Sequence, residues 1–215
     1  MLITIGRDAV LRQCLRVVHG LLQDDASHVL AIAARVRLTF AILCYNESVT
    51  MQTECGAIKL QAGQPAPAFD LPDAEMESVT LASLAGRIVV LYFYPRDDTP
   101  ACTLEAIEFS DHEDDFTKLG AQVIGVSMDD CLSHSEFLDK HGLAVRLLSD
   151  ADGEACNAYG VLQEKEHEGR KKLCILRSTF IIGGDGRIKH ALYGVHPRCH
   201  AAEVLQLVKG LVKCR

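Results

Sequence analysis

The stretch Tyr94-Pro-Arg-Asp-Asp-Thr-Pro-Ala-Cys-Thr-Leu-Glu105 gathers the residues best suited to chemistry. Cys102 stands where a proline-bearing loop enters a helical pattern, so its sulfur meets free backbone N–H groups and the positive end of a helix dipole. Both favour thiolate over thiol. A free cysteine, with a pKa of about 8.5, needs such help and commonly a nearby cation to react at neutral pH. Thr99 lies three residues before Cys102, where its hydroxyl can hydrogen-bond the sulfur or an oxygen bound beside it. Pro95 and Pro100 stiffen the loop, and Pro95 is placed to shield the sulfur from bulk solvent. These are the parts of a nucleophilic thiolate that attacks a small electrophile.

The flanking pattern must hold that loop in place. Residues 88–94 are apolar, rich in β-branched and aromatic types, and stopped by Pro95, which predicts a strand buried on both faces. A helix is expected from the loop through about Leu119, then a second buried strand over 121–127. Residues 133–141 suit a helix with Ser133 as N-cap and Glu136 completing a capping box. A short strand ends at Leu147-Leu148, and 153–159 suits a short helix. Residues 177–182 and 188–195 flank Gly183-Gly-Asp-Gly186, a β-hairpin signature. An amphipathic helix over 201–212 closes the chain. Glu113-Asp-Asp115 reads as a solvated face and residues 164–172 as a surface loop. The order describes an α/β sandwich.

Composition narrows the class. The 215 residues carry 22 Lys plus Arg against 29 Asp plus Glu, a net charge of −7 that argues against nucleic-acid binding through the phosphate backbone. Nine scattered cysteines, an odd count in a chain of this length, fit reduced thiols in a cytoplasmic enzyme better than a disulfide-stapled secreted domain. Residues 1–50 differ from the rest, with five arginines, no lysine and four carboxylates. They match neither a secretory signal, nor a transit peptide, nor a membrane span. They are expected to be an extension without a fold of its own, with Met51 as the start of the working domain, 51–215. No dinucleotide fingerprint or phosphate loop occurs, so cofactor-free chemistry is expected. Cys131-x-x-His134 and Cys199-His200, with His190 and His196 nearby, fit no usual zinc spacing, and no metal is expected.

Pro95-x-x-x-Thr99-x-x-Cys102 matches the active-site pattern of the peroxiredoxins, and the run from Tyr92 to Glu105 resembles their bacterioferritin-comigratory, or peroxiredoxin Q, branch. The resemblance continues through Gly63-x-x-Ala-Pro-x-Phe69, Leu148-Ser-Asp150, Tyr159-Gly-Val161 and Arg177-Ser-Thr-Phe180. It implies a thioredoxin-like fold, a central mixed β-sheet flanked by helices. It also implies a thiol peroxidase for hydrogen peroxide and organic hydroperoxides, reduced by thioredoxin or a similar dithiol protein and acting as a monomer or weak dimer. By the resemblance, Cys102 falls on the peroxidatic cysteine and Thr99 on the hydroxyl that orients the peroxide. Arg177 falls on the arginine that favours the thiolate and holds the peroxide, and Glu105 on the acid that positions this arginine.

The pattern departs at the resolving step. Many members of the branch carry a resolving cysteine five residues after the peroxidatic one, where this chain has Ile107; others place it on the following helix, at the position of Leu138. Cys131 is the nearest substitute. Because a disulfide tolerates Cα separations of only about 4.4–6.8 Å, its use requires unwinding of the first helix. The competing reading is a one-cysteine enzyme whose sulfenic acid is reduced by an outside thiol. Cys156 and Cys174 read as buried, inert thiols, Cys14, Cys44 and Cys55 fall in or near the extension, and Cys214 is expected to be exposed. Two other functions share these features. A thiol–disulfide reductase is weakened by the absence of Cys-x-x-Cys, and a redox sensor would use Cys102 oxidation as a switch.

Overall fold

The computed structural model describes residues 59–167 and 170–213. The extension expected over 1–50, the start expected at Met51, and Cys14, Cys44, Cys55 and Cys214 lie outside the described residues. Asp70–Pro72 (β1) pairs antiparallel with Ser78–Thr80 (β2), and a 3-10 turn at Leu81–Leu84 leads to Ile88–Phe93 (β3). Pro100–Asp111 (α1) and Glu113–Lys118 (α2) carry the chain to Ala121–Ser127 (β4), and Cys131–His141 (α3) carries it to Arg146–Ser149 (β5). Glu154–Ala158 (α4), Leu162–His167 (β6) and Arg170–Ile175 (β7) follow. The chain then makes Ser178–Ile182 (β8), Ile188–Tyr193 (β9) and His200–Lys213 (α5).

Five strands form one mixed sheet in the order β5-β4-β3-β8-β9. β3, β4 and β5 run parallel, and such pairs need crossovers, which the helices α1–α2 and α3 provide. β8 is antiparallel to both β3 and β9. This is the expected thioredoxin-like α/β fold. All six residues of β3 are buried, because the strand is covered on both faces. Val89, Leu91 and Phe93 join one core with Phe180, Tyr159 and Cys156. Val90 and Tyr92 join the other, with Cys102, Ala106 and Phe109 of α1, Phe137 of α3, and Val204 and Val208 of α5. Gly125 of β4 permits the close approach of Tyr92: a Cβ there would lie 2.6 Å from the ring. Gly186, at φ +71°, supplies the left-handed residue that turns β8 into β9.

Three local expectations are corrected. The helix after the loop is not continuous to Leu119; it breaks at His112, and α2 opens with Glu113, Asp114 and Asp115 in its first turn. That acidic run thus complements a helix dipole, with Lys118 at the other end. α3 begins at Cys131 rather than Ser133, because the Asp130 carboxylate accepts the Ser133 N–H at 2.8 Å and takes the cap. Residues 164–172 are not simply a loop: 164–167 and 170–172 belong to the antiparallel ribbon of β6 and β7. A ribbon of charged residues has no apolar period to mark it. No helix among the described residues is long and apolar enough to cross a membrane.

Candidate active site

The loop after β3 ends in a helix start of a particular kind. Thr99 is the N-cap in extended backbone geometry, and Pro100 takes the first helical position, where a missing N–H removes no bond. Cys102 is therefore the third residue of α1, inside its first turn. The Thr99 carbonyl accepts the Thr103 N–H at 2.8 Å, while its hydroxyl makes no cap and donates to the Arg96 carbonyl at 3.2 Å. Pro95 is exposed, on the rim of the same loop.

Cys102 is only 2% exposed, yet its surroundings are not apolar on every side. Arg177, the residue before β8, donates from Nη2 to the Cys102 sulfur at 3.0 Å. Its Nη1 donates to Glu105, one helical turn beyond Cys102. One rigid guanidinium thus spans a sulfur and a carboxylate with two separate donors. Burial works against the Arg177 charge, but Glu105 and the sulfur more than offset it, and the guanidinium keeps its proton. Glu105 has no solvent exposure; burial pushes its carboxyl up to about 7 against the pull of Arg177. Its Oε1 and the Tyr92 hydroxyl are both buried without a hydrogen-bond partner among the described residues. The arrangement offers a fixed cation to a negative sulfur, or to oxygen bound beside it.

The Glu105 environment carries a testable sign. A carboxyl raised from 4.5 to about 7 by folding supports the folded state fully below the lower value and loses that contribution as pH rises through the upper one. Relative to Glu105→Gln, the wild-type chain is therefore expected to lose stability between about pH 5 and about pH 8. Urea unfolding across that range measures the difference, and parallel curves for the two proteins would contradict it.

Structure thus brings Cys102, Glu105 and Arg177 together and keeps Thr99 one turn away at the head of the same helix. Cys131 is half-buried, at the first position of α3 rather than ahead of it. Leu138 packs against the helix-side core, and Ile107 is 37% exposed. Cys156 is buried, and burial followed by the neighbouring Asp150 carboxylate pushes its thiol far up, which suits the inert role expected. Cys174 is not fully buried, contrary to expectation, because β7 belongs to a two-stranded ribbon and not to the main sheet. The ring of His134 turns away from metal-ligand duty, toward Asp97 and the Leu148 carbonyl. Sequence reasoning missed Tyr92 as a site neighbour and missed the Asp97–His134 pair; a strand reads only as apolar, and 37 residues separate that pair.

Comparison with known proteins gives a consistent result. Residues 62–191 match the AhpC/TSA family. The chain is similar to Peroxiredoxin Bcp of Bacillus subtilis, 39% identical over 152 residues that cover 71% of this chain and 97% of that one. Among solved structures it resembles peroxiredoxin Q of Xanthomonas campestris, with 36% identity, a TM-score of 0.66, and coverage of 73% of this chain and 99% of that one. A second structure concerns the alkyl peroxide reduction activity of the Xanthomonas campestris bacterioferritin comigratory protein. It is 35% identical, with a TM-score of 0.66 and coverage of 73% and 99%.

Proposed function

This chain belongs to the AhpC/TSA family as a peroxiredoxin of the Bcp/PrxQ type, a thiol peroxidase, and from that premise we propose that its Cys102 thiolate reduces alkyl hydroperoxides and hydrogen peroxide. The observation that carries the proposal is the Arg177 guanidinium, 3.0 Å from the sulfur and braced by Glu105.

The Cys102 sulfur attacks the outer oxygen of the hydroperoxide. A sulfur–oxygen bond forms as the oxygen–oxygen bond breaks, sulfur gives up two electrons, and the leaving alkoxide or hydroxide takes a proton. Arg177 donates to the reacting oxygens as charge moves from sulfur onto them. The Thr99 hydroxyl, at the head of the same helix, exchanges its bond to the Arg96 carbonyl for one to the peroxide. Pro95 and Pro100 hold the loop that presents both side chains. Cys102 is left as a sulfenic acid. A thiolate of a thioredoxin-like protein then attacks that sulfur and expels water, and the protein's second thiol opens the mixed disulfide. A monomer or weak dimer suffices for the peroxide step, because Cys102, Arg177, Glu105 and Thr99 all come from one chain.

The sulfur is nearly inaccessible, so any thiol that reaches it needs the first turn of α1 to open. We assign the reducing thiol to an outside protein. Cys131 is the candidate for an internal step, favoured by its place on the helix that the Cys102 loop packs against. Non-reducing peptide mapping after one equivalent of hydroperoxide tests the assignment. An unbridged Cys102 that thioredoxin restores over repeated cycles is expected. A Cys102–Cys131 disulfide transfers the step to Cys131, and oxidation that no thiol reverses supports the sensor instead.

A further inference from the structure

The loop that delivers Cys102 is fastened to α3 by a buried polar cluster that the peroxide chemistry does not use. Asp97 lies in that loop, 7% exposed, and its carboxylate accepts three hydrogen bonds or ion-pair contacts. Tyr94 donates its hydroxyl to Oδ1 at 2.7 Å, while the Ser133 hydroxyl at 2.9 Å and His134 Nδ1 at 2.8 Å reach Oδ2. The Asp97 N–H donates to Asp129 Oδ2 at 2.8 Å, and the Ser127 hydroxyl, at the end of β4, donates to the same oxygen at 2.7 Å. His134 has no solvent exposure, and its Nε2 lies 3.2 Å from the Leu148 carbonyl of β5. Both ring nitrogens face acceptors, so both bonds form together only when each nitrogen carries a proton. His134 and Asp97 thus make a buried polar pair, and each partner is also hydrogen-bonded to other groups. Such a pair fixes geometry more surely than it adds stability. A second clasp, Asp98 with Lys140 and His141 at the far end of α3, is solvent-exposed and correspondingly weak.

We propose that His134 is a positioning residue for the peroxidase reaction: through Asp97 it latches the Cys102 loop closed for peroxide attack, and its release opens the loop to the reducing thiol. The proposal rests on the reading of Cys102 as the peroxide-reducing thiol. Four residues separate Asp97 from Cys102, and Thr99 is one of them, so displacement of Asp97 moves the whole reacting segment. Peroxide must meet the sulfur while Arg177 and Thr99 are in place. A protein thiol must meet it exposed. The latch therefore acts in opposite directions on the two half-reactions, which loss of fold cannot imitate.

Two conservative variants separate the two ends of the ring. In His134→Asn the amide nitrogen falls near Nδ1 and retains the bond to Asp97; in His134→Gln it falls near Nε2 and retains only the bond to Leu148. Stopped-flow measurements on the full chain use tert-butyl hydroperoxide for the first half-reaction and dithiothreitol on preformed sulfenic acid for the second. His134→Asn is expected to stay close to wild type. His134→Gln is expected to slow peroxide attack by about 10- to 100-fold, the scale of a small misplacement, while its sulfenic acid is reduced at least as fast as in wild type. Asp97→Asn is expected to follow His134→Gln. Equal behaviour of the Asn and Gln variants, or parallel slowing of both half-reactions, overturns the proposal. Should the wild-type chain form no sulfenic acid, the peroxidase reading fails by itself, and iodoacetamide capture of Cys102 still tests the latch. Faster capture in His134→Gln than in His134→Asn supports it, and equal capture overturns it.

Discussion

Cys102→Ser is expected to bring peroxide turnover down to background, a loss of at least about 10³-fold, on the scale seen when an enzyme loses its nucleophile. The serine hydroxyl is close in shape to the thiol, so the helix start at Pro100 and the packing beneath α1 remain. What is lost is a soft, nucleophilic sulfur to which an oxygen can be transferred. The other described thiols are poorly placed to substitute. Burial, and after it the neighbouring Asp150 carboxylate, holds Cys156 as an unreactive thiol. Cys131, Cys174 and Cys199 are more accessible, but among the described residues the sulfur that receives a guanidinium hydrogen bond is that of Cys102. Peroxide consumption with a thioredoxin system, together with circular dichroism to show an intact fold, reads the result. Turnover above a tenth of the wild-type rate would assign the reaction to another cysteine.

Arg177→Met is expected to slow peroxide attack by about 10²- to 10³-fold, the range for removal of one preorganised donor aimed at developing charge. The substitution keeps much of the stem volume and removes both the 3.0 Å bond to the sulfur and the contact with Glu105. Its effect on the thiol has the same sign: without the guanidinium hydrogen bond to the sulfur, alkylation of Cys102 should be slower than in the wild type. Glu105 responds as well. Burial raises its carboxyl and Arg177 opposes that rise, so without the arginine the carboxyl stays protonated to higher pH. Arg177→Lys should recover only part of the rate, because one ammonium cannot replace the two fixed donors that span sulfur and carboxylate. Rapid-mixing kinetics against pH measures all three effects. An unchanged rate and an unchanged alkylation profile in Arg177→Met would remove this residue from the chemistry.

The main frame of the fold was legible because its signals are local. β3 and β4 are continuous apolar runs, which mark strands buried on both faces, and the glycine-rich tip at 183–186 marks the hairpin of β8 and β9. The cysteine at a proline-rich helix start was legible for the same reason. Arg177 was not legible from spacing, because it reaches Cys102 across 75 residues; it entered through a family pattern, and its geometry is a property of the β3–β8 pairing. The start of α3 was misread because Asp130 and Ser133 are both good caps, and the choice between them depends on backbone register. Ser133, released from that role, donates instead to Asp97. The β6–β7 ribbon left no apolar trace, and the Asp97–His134 pair joins a loop to a helix that meet only in the folded chain.

The most direct measurement is single-turnover oxidation of the full chain by one equivalent of an alkyl hydroperoxide, with a sulfenic-acid trap and peptide mass spectrometry at successive times. One added oxygen should appear on Cys102 at the rate at which peroxide disappears, and a dithiol protein should return Cys102 to its starting mass. Peroxide loss that leaves Cys102 unmodified, or that places the oxygen first on another cysteine, would contradict the assignment.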